Sequence, residues 1–477
     1  MYLKKTKIVA TISDKHCDVD FLQSLYDAGM NVVRLNTAHQ DTSTAIKIVE
    51  NVRKVSDKIA ILIDTKGPEM RTTAMENGIG FEVKIDDTII VAGCPEKLSS
   101  KEMLCINYVN FVHDVPVGAK LLIDDGDIAL QVIEKTETHL VCKALDAGRI
   151  NGRKSVNVPD GNINLPAVSE KDKQFIHWAI DNDLDFIAHS FVRSKNDLLE
   201  VQKILDERKS HLKIIAKIEN QEGVDNIDEI LDAAYGVMIA RGDLGVEIAA
   251  EKIPIIQRLL MAKCQARKKP VIVATQMLQS MIEHPRPTRA EVSDVANAIF
   301  QRTDAIMLSG ETAYGPYATE AVRTMTNVAQ EIEQQLQPFV DLELIDVTEE
   351  VAATLAKMVV RSSIQLPIKA VVLDTTTGRT GRYVAAFRPH IPIFAKCYRS
   401  HVMRELALSY GVYGNIMEPR KTKDDFVKIA INSLLSQNCF QKNDLIAVLA
   451  GSFGPTAGAT FMEICNAEKL VLDSHLK

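Results

Sequence analysis

The residues best suited to chemistry come in short clusters, each closing an apolar run: Arg34-Leu35-Asn36, Asp64-Thr65-Lys66, His189-Ser190-Phe191, Lys217-Ile218-Glu219, Arg241-Gly242-Asp243, Thr275-Gln276 and Ser309-Gly310-Glu311. A single polar strand end is expected wherever a strand meets water; a set of seven carrying both cations and anions is not. Side chains on a strand alternate faces, so Lys217 and Glu219 point the same way, as do Arg34 and Asn36. Two carboxylates such as Glu219 and Asp243 suit a hard divalent cation, Mg2+ or Mn2+, with substrate oxygens and waters completing its shell. The same spacing suits plain ion pairs, Glu219 with Lys217 and Asp243 with Arg241, and spacing alone does not choose. Gly242 permits close backbone approach to a ligand. Amides there, with the Thr275 hydroxyl, suit a carboxylate. Such a cavity fits a small polyanion, for example a phosphorylated carboxylic acid, and neutralising charge that moves between oxygens is most of what phosphoryl transfer requires. Neither GxxxxGK[ST] nor GxGxxG occurs, so a nucleotide must be held in another way.

These clusters need a frame that gathers strand ends. Apolar runs at 7–12, 31–36 and 59–64 alternate with helical patterns at 20–28 and 42–55, and the alternation resumes near Ser169 with strands at 184–191, 212–219, 235–240, 270–276 and 304–309. Helices at 249–267 and 318–334 belong to the same series. About eight strand–helix units predict an α/β fold, a closed (β/α)8 TIM barrel over 1–68 and 166–340, whose working residues gather at the C-terminal strand ends. The interruption, 69–165, has short β-type runs and turn signals such as Asp124-Asp125-Gly126. It predicts an inserted, mostly antiparallel β lid over the barrel mouth, since it enters at a βα loop. After the acidic stretch 341–346, strands at 370–374, 392–395 and 445–449 alternate with helices at 349–364, 379–388, 400–410 and 422–437. They predict a C-terminal α/β domain, 341–477, with a mostly parallel sheet.

The 477 residues hold 56 Lys+Arg against 63 Asp+Glu, a net charge of −7, which argues against a nucleic-acid partner. The eight cysteines are dispersed, without CxxC, and read as reduced thiols. No apolar run approaches the length of a membrane helix, and Tyr2-Leu3-Lys4-Lys5 has no leader-like pattern. A cytoplasmic enzyme with no membrane partner is expected.

Longer motifs carry a resemblance. Lys217-Ile218-Glu219-Asn220, Ala240-Arg241-Gly242-Asp243-Leu244-Gly245, Ala274-Thr275-Gln276-Met277-Leu278, Pro285–Glu291, Ser293–Asn297 and Met307–Ala313 resemble the pyruvate kinase family, as do Asp64–Glu69 and Leu165–Asp172 at the lid borders. The resemblance runs through essentially the whole chain, in order. It implies phosphoenolpyruvate and ADP/ATP as ligands. By it, Glu219 and Asp243 bind Mg2+, Lys217 stabilises the phosphoryl group and the enolate, Arg34 clamps phosphate, and Thr275 with the Gly242 and Asp243 amides holds the substrate carboxylate. Ser190 joins the substrate site. Asn36, Asp64 and Thr65 match ligands of a monovalent cation, K+; Arg71, His39 and Lys154 match nucleotide contacts. A homotetramer is expected on the same ground.

Some positions depart from the pattern. Ser13-Asp14-Lys15-His16 replaces the usual Gly-Pro-Ala-Ser, and Tyr314 stands where lysine is common. Ala38 replaces a serine that ligates K+, while Glu69 keeps an acid that goes with K+ dependence, so a weakened K+ requirement is expected. In the C-terminal domain, Thr375, Thr376, Thr377, Arg379 and Thr380 surround Gly378 between a strand and a helix. N-capping needs only one of them; the group suits phosphate, and the family's sugar-phosphate effector loop lies here. Gly451-Ser452-Phe453-Gly454-Pro455 lacks the tryptophan and arginine features of the fructose-bisphosphate type. Two rivals fit part of the pattern: a barrel aldolase or lyase acting on pyruvate enolate, which needs no lid, and a sugar-phosphate sensor on a decayed kinase scaffold.

Overall fold

The structure, a computed structural model, describes residues 3–159, 161, 163–336, 345, 347, 350–420, 422–451 and 458–471. Eight parallel strands close a barrel: Lys7–Thr11, Val32–Asn36, Ala60–Asp64, Phe186–His189, Lys213–Ile218, Gly236–Ala240, Val271–Ala274 and Ala305–Leu308. Each pairs with its sequence neighbour, and the first with the eighth, Lys7 opposite Ala305. One face of these strands packs against the surrounding helices through Ile8, Val33, Ile61, Ile187, Ala216 and Ile239. The other fills the barrel with Val9, Val32, Leu62, Ala188, Ile215 and Ala274. The period-two rule explains what lies above that interior column: two residues further on come Thr11, Arg34, Asp64, Ser190 and Lys217.

The expected helix at 249–267 begins as a 3-10 turn, Ala250–Lys252, and becomes α over Ile253–Ala266, where Pro254 suits the first turn. The expected helix at 400–410 is α only over Ser400–Glu405. It tightens to a 3-10 turn, Leu406–Leu408, with Leu406 and Leu408 buried.

The insertion forms a six-stranded sheet and a two-stranded one around Val91, Phe111, Leu121 and Leu140. Its strand–strand pairings are antiparallel except one. Thr88–Gly93 runs parallel to Leu104–Ile106, because residues 94–103 carry the chain back to the end from which it started. The C-terminal sheet has five strands, four parallel (Ile368–Thr375, Ile393–Cys397, Val412–Ile416, Leu445–Gly451) and one antiparallel, Ala459–Asn466. Among the described residues no helix is long and apolar enough to cross a membrane. The acidic stretch 341–346 lies outside the described residues except Ile345.

The C-terminal unit seats on the barrel's N-terminal face through buried ion pairs. Arg404 donates to Asp185 at 2.5 Å, and Arg388 grips both oxygens of Asp304 at 2.9 and 2.6 Å. This leaves the opposite, C-terminal face to the lid.

Candidate active site at the barrel mouth

Four strand ends build a chain of charges. Arg34 Nε donates to Asp64 at 2.6 Å and its Nη1 to Thr11 Oγ1 at 2.8 Å. Lys217 Nζ reaches the other Asp64 oxygen at 2.9 Å, Ser190 Oγ at 2.7 Å and Glu219 Oε1 at 2.9 Å. Glu219 Oε2 accepts from the Phe191 amide at 2.6 Å. Asp64, Lys217 and Glu219 are all under a tenth exposed. The shared face predicted for Lys217 and Glu219 is realised.

Burial works against the Lys217 ammonium, but Asp64, Glu219 and Asp243 outweigh it and hold its proton more firmly than usual. Burial also opposes Asp64, yet Arg34 and then Lys217 keep it below the ordinary carboxylate range. Glu219 goes the other way. Burial, with Asp243 and Asp64 adding to it against Lys217, pushes it up to about 7. A carboxylate so placed lacks positive charge, and a cation beside it would supply that. Beneath the site, burial draws His189 down to about 4, so it is neutral there.

On the next strands, Arg241 pairs with Asp294 at 2.7 Å and donates to the Thr275 carbonyl at 2.8 Å. The alternative pairing of Arg241 with Asp243 is therefore not the one adopted, and Asp294 is a partner that spacing did not reveal. The Gly242 amide donates to Thr275 Oγ1 at 2.7 Å. The close neighbour of Gly242 is Thr275, whose Oγ1 would lie 3.4 Å from an added Cβ. Thr275 and Gln276 have φ of 69° and 53°. This left-handed backbone is costly for a β-branched residue and turns the Thr275 hydroxyl toward the Gly242 amide. Gly67, at φ 71°, lets the chain leave the third strand beneath Phe191, where a Cβ would come within 2.8 Å of the ring.

A cavity of about 290 Å3 lies between lid and barrel, lined among others by Arg71, Ser155, Asn157, Phe191, Asp243 and Glu247. It meets the charge cluster at Asp243 and Phe191; Lys217 and Arg34 lie deeper. Arg71 and Lys154 are neighbours at the lid base, linked by Thr72 N to the Lys154 carbonyl at 2.9 Å. Arg71 pairs with Glu69 at 2.7 Å and Lys154 with Asp124 at 2.8 Å. His39 is exposed on the barrel side. Tyr314 is 62% exposed, and Ser13 Oγ donates to the neighbouring Ala313 carbonyl.

The cation sets differ in fit. Glu219 and Asp243 offer two hard carboxylates, and no cluster of three metal-ligating side chains exists among the described residues, so the donors match Mg2+ with its own waters better than an all-protein cage. The monovalent set fits less well. Asn36 Oδ1 accepts from the Ala38 amide at 3.1 Å, both Asp64 oxygens are engaged by Arg34 and Lys217, and Ala38 offers no side-chain oxygen.

In the C-terminal unit, Thr375 ends a strand and Gly378 caps the helix Arg379–Ala386 with φ 74°. Thr376, Thr377 and Arg379 are exposed; Thr375 and Thr380 are buried. Residues 452–455 lie outside the described residues.

Barrel, lid and charged mouth together define a barrel phosphotransferase. Residues 3–322 match the family described as "Pyruvate kinase, barrel domain" and 353–465 that described as "Pyruvate kinase, alpha/beta domain". A pyruvate kinase of Borreliella burgdorferi is 45% identical over 476 residues, 99% of both chains. One from Geobacillus stearothermophilus is 43% identical over 97% of this chain and 80% of its own. The crystal structure of a pyruvate kinase from Cryptosporidium parvum superposes with a TM-score of 0.93 at 34% identity, covering 97% of this chain and 96% of that one. The chain belongs to the pyruvate kinase family.

Proposed function

We propose that the cluster at the barrel mouth is where this phosphotransferase moves the phosphoryl group of phosphoenolpyruvate to ADP, giving pyruvate and ATP, an ATP-forming step of glycolysis. The observation that carries this reading is the Lys217 ammonium, held by Asp64, Ser190 and Glu219 between Arg34 and the paired carboxylates. In the transfer, a terminal oxygen of ADP bonds to phosphorus and the bond from phosphorus to the enol oxygen breaks. The electron pair stays on that oxygen as enolate, and a proton added at the methylene carbon gives pyruvate. Lys217 faces the charge that grows on the moving phosphoryl group and the enolate, Arg34 holds the phosphate, and Thr275 with the Gly242 and Asp243 amides takes the carboxylate. Because three carboxylates outweigh burial and hold the Lys217 proton firmly, Lys217 acts as a fixed cation rather than as a proton donor. Glu219 and Asp243 would hold Mg2+ or Mn2+, which neutralises phosphate charge when bound.

Arg71, His39 and Lys154 contact nucleotide phosphates, two from the lid. Asn36, Asp64 and Thr65 remain the candidates for K+, with a weakened requirement because Ala38 lacks the oxygen; a rate that vanishes when K+ gives way to a large inert cation refutes this. Thr375, Thr376, Thr377, Arg379 and Thr380 take the phosphate of a sugar-phosphate effector. The barrel over 1–68 and 166–340 is the catalytic domain, 69–165 its lid and 341–477 the regulatory domain, in a cytoplasmic homotetramer. The test is pyruvate formation from phosphoenolpyruvate, ADP and Mg2+, followed directly. It should proceed and should stop when a chelator removes the metal; no pyruvate from the folded chain overturns the reading.

A further inference from the structure

Between the barrel's N-terminal face and the C-terminal unit lies a second, small cavity, lined among others by Lys268, Lys269, Asp304, Arg382, Arg388 and Ser409, with a volume of about 10 Å3. That is room for one particle of about the size of water. Much of the charge around it is already answered. Arg388 holds both Asp304 oxygens, which also accept from the Tyr410 and Val271 amides, and Lys268 meets Glu350 at 3.3 Å.

Three groups are not answered in this way. Arg382 Nε and Ser409 Oγ are buried and, among the described residues, have no hydrogen-bond partner. Ser409 is 1% exposed. Lys269 donates to the Ala234 carbonyl at 2.6 Å, which leaves its charge without a carboxylate in contact. Burial, and then the like charge of Arg382, draw the Lys269 ammonium down to about 8, so the two cations feel one another across this space. Arg382 lies over the Tyr235 ring, 4.6 Å from its centre, which fixes the guanidinium, and Glu405 is the carboxylate that feels its charge.

A buried donor without a partner costs free energy, and so does a buried cation without an anion. The unspent groups are donors: an Arg N–H, two ammonium protons and a hydroxyl. A water there would bring two protons of its own to a wall rich in donors, where the Asp304 oxygens already accept four hydrogen bonds. A monatomic anion accepts from all three residues and places negative charge directly between two buried cations. Sulfate and phosphate are too large for the volume. We propose that this cavity binds a single halide ion, chloride under ordinary conditions, held by Arg382, Lys269 and Ser409 so that it bridges the barrel and the C-terminal unit.

The test uses the full chain with bromide as the probe. In crystals soaked in bromide, an anomalous peak should stand in contact with Arg382, Ser409 and Lys269. In solution, bromide should raise the thermal unfolding midpoint saturably over sodium gluconate at equal ionic strength. Arg382→Met should weaken that response at least about tenfold, the loss of one charge-assisted hydrogen bond. Ser409→Ala, the milder change, should weaken it less and keeps the test alive if Arg382→Met does not fold. No bromide peak in the cavity, or a bromide response in Ser409→Ala equal to that of the unaltered chain, overturns the proposal.

Discussion

The two ends of the barrel use the same residue types to opposite ends. At the base, Asp185 and Asp304 are closed off: Arg404, Arg53 and the Ile61 amide surround the first, and Arg388 with the Tyr410 and Val271 amides the second. Charge there is matched across two parts of the chain, and nothing is left on these carboxylates for a ligand. At the mouth, one carboxylate, Asp64, is shared by Arg34 and Lys217, and Lys217 is shared again with Glu219. The chain of charges ends at Asp243, which faces the lid cavity. A saturated clamp holds pieces of protein together. An open series holds charge ready for a substrate.

If that contrast is right, substitutions at the base strike stability and those at the mouth strike turnover. Arg388→Met leaves Asp304 buried without its guanidinium and should lower the unfolding free energy by about 3–5 kcal/mol. Turnover of the remaining folded enzyme should hardly change, read by denaturant unfolding beside the assay; full stability would break the contrast. Lys7 is the base's exception. Burial, then Lys4, draw its ammonium down to about 7, while an unfolded lysine titrates near ~10.4. Between those values the unfolded chain keeps a proton that the folded one lacks, so stability rises with pH across this window, and below it the cost persists in full. Lys7→Met should flatten that rise by something on the order of 4–5 kcal/mol, seen in unfolding free energies from neutral to alkaline pH. An unchanged slope would remove Lys7 from the account.

Smaller effects belong to the mouth. Thr275→Gly removes the hydroxyl and suits the left-handed backbone. It should lower kcat/KM for phosphoenolpyruvate by about tenfold, one hydrogen bond's worth, with stability held. A fall in stability alone would move Thr275 to the structural side. Smallest is Ala38→Ser, which restores the missing oxygen and should increase activation by K+ in a titration; no change would place the cation elsewhere.

The mouth was largely legible in the sequence because a strand's period is fixed. Once 213–218 is a strand, Lys217 and Glu219 must share a face, and a parallel barrel brings strand ends together whatever the loops do. The base was not legible. Arg388 meets Asp304, and Arg404 meets Asp185, across 84 and 219 residues. No local periodicity couples such distant positions. Asp294, the partner of Arg241, was hidden likewise, on a helix 53 residues away. Backbone geometry was also silent: nothing in Ala274-Thr275-Gln276 announces two successive residues with positive φ. The strand Val412–Ile416 has no counterpart among the sequence-based expectations; Gly414 and Asn415 inside it are residue types that favour turns.

The central claim is that the mouth's charges are arranged for phosphoryl transfer, with Lys217 at their centre. Turnover of Lys217→Met, measured beside its affinity for phosphoenolpyruvate, tests it most directly. The account predicts a loss of about 10²–10³ in kcat, the cost of removing a group that faces charge in the transition state, with binding retained through Arg34 and the metal. Near-normal turnover in that variant would contradict it.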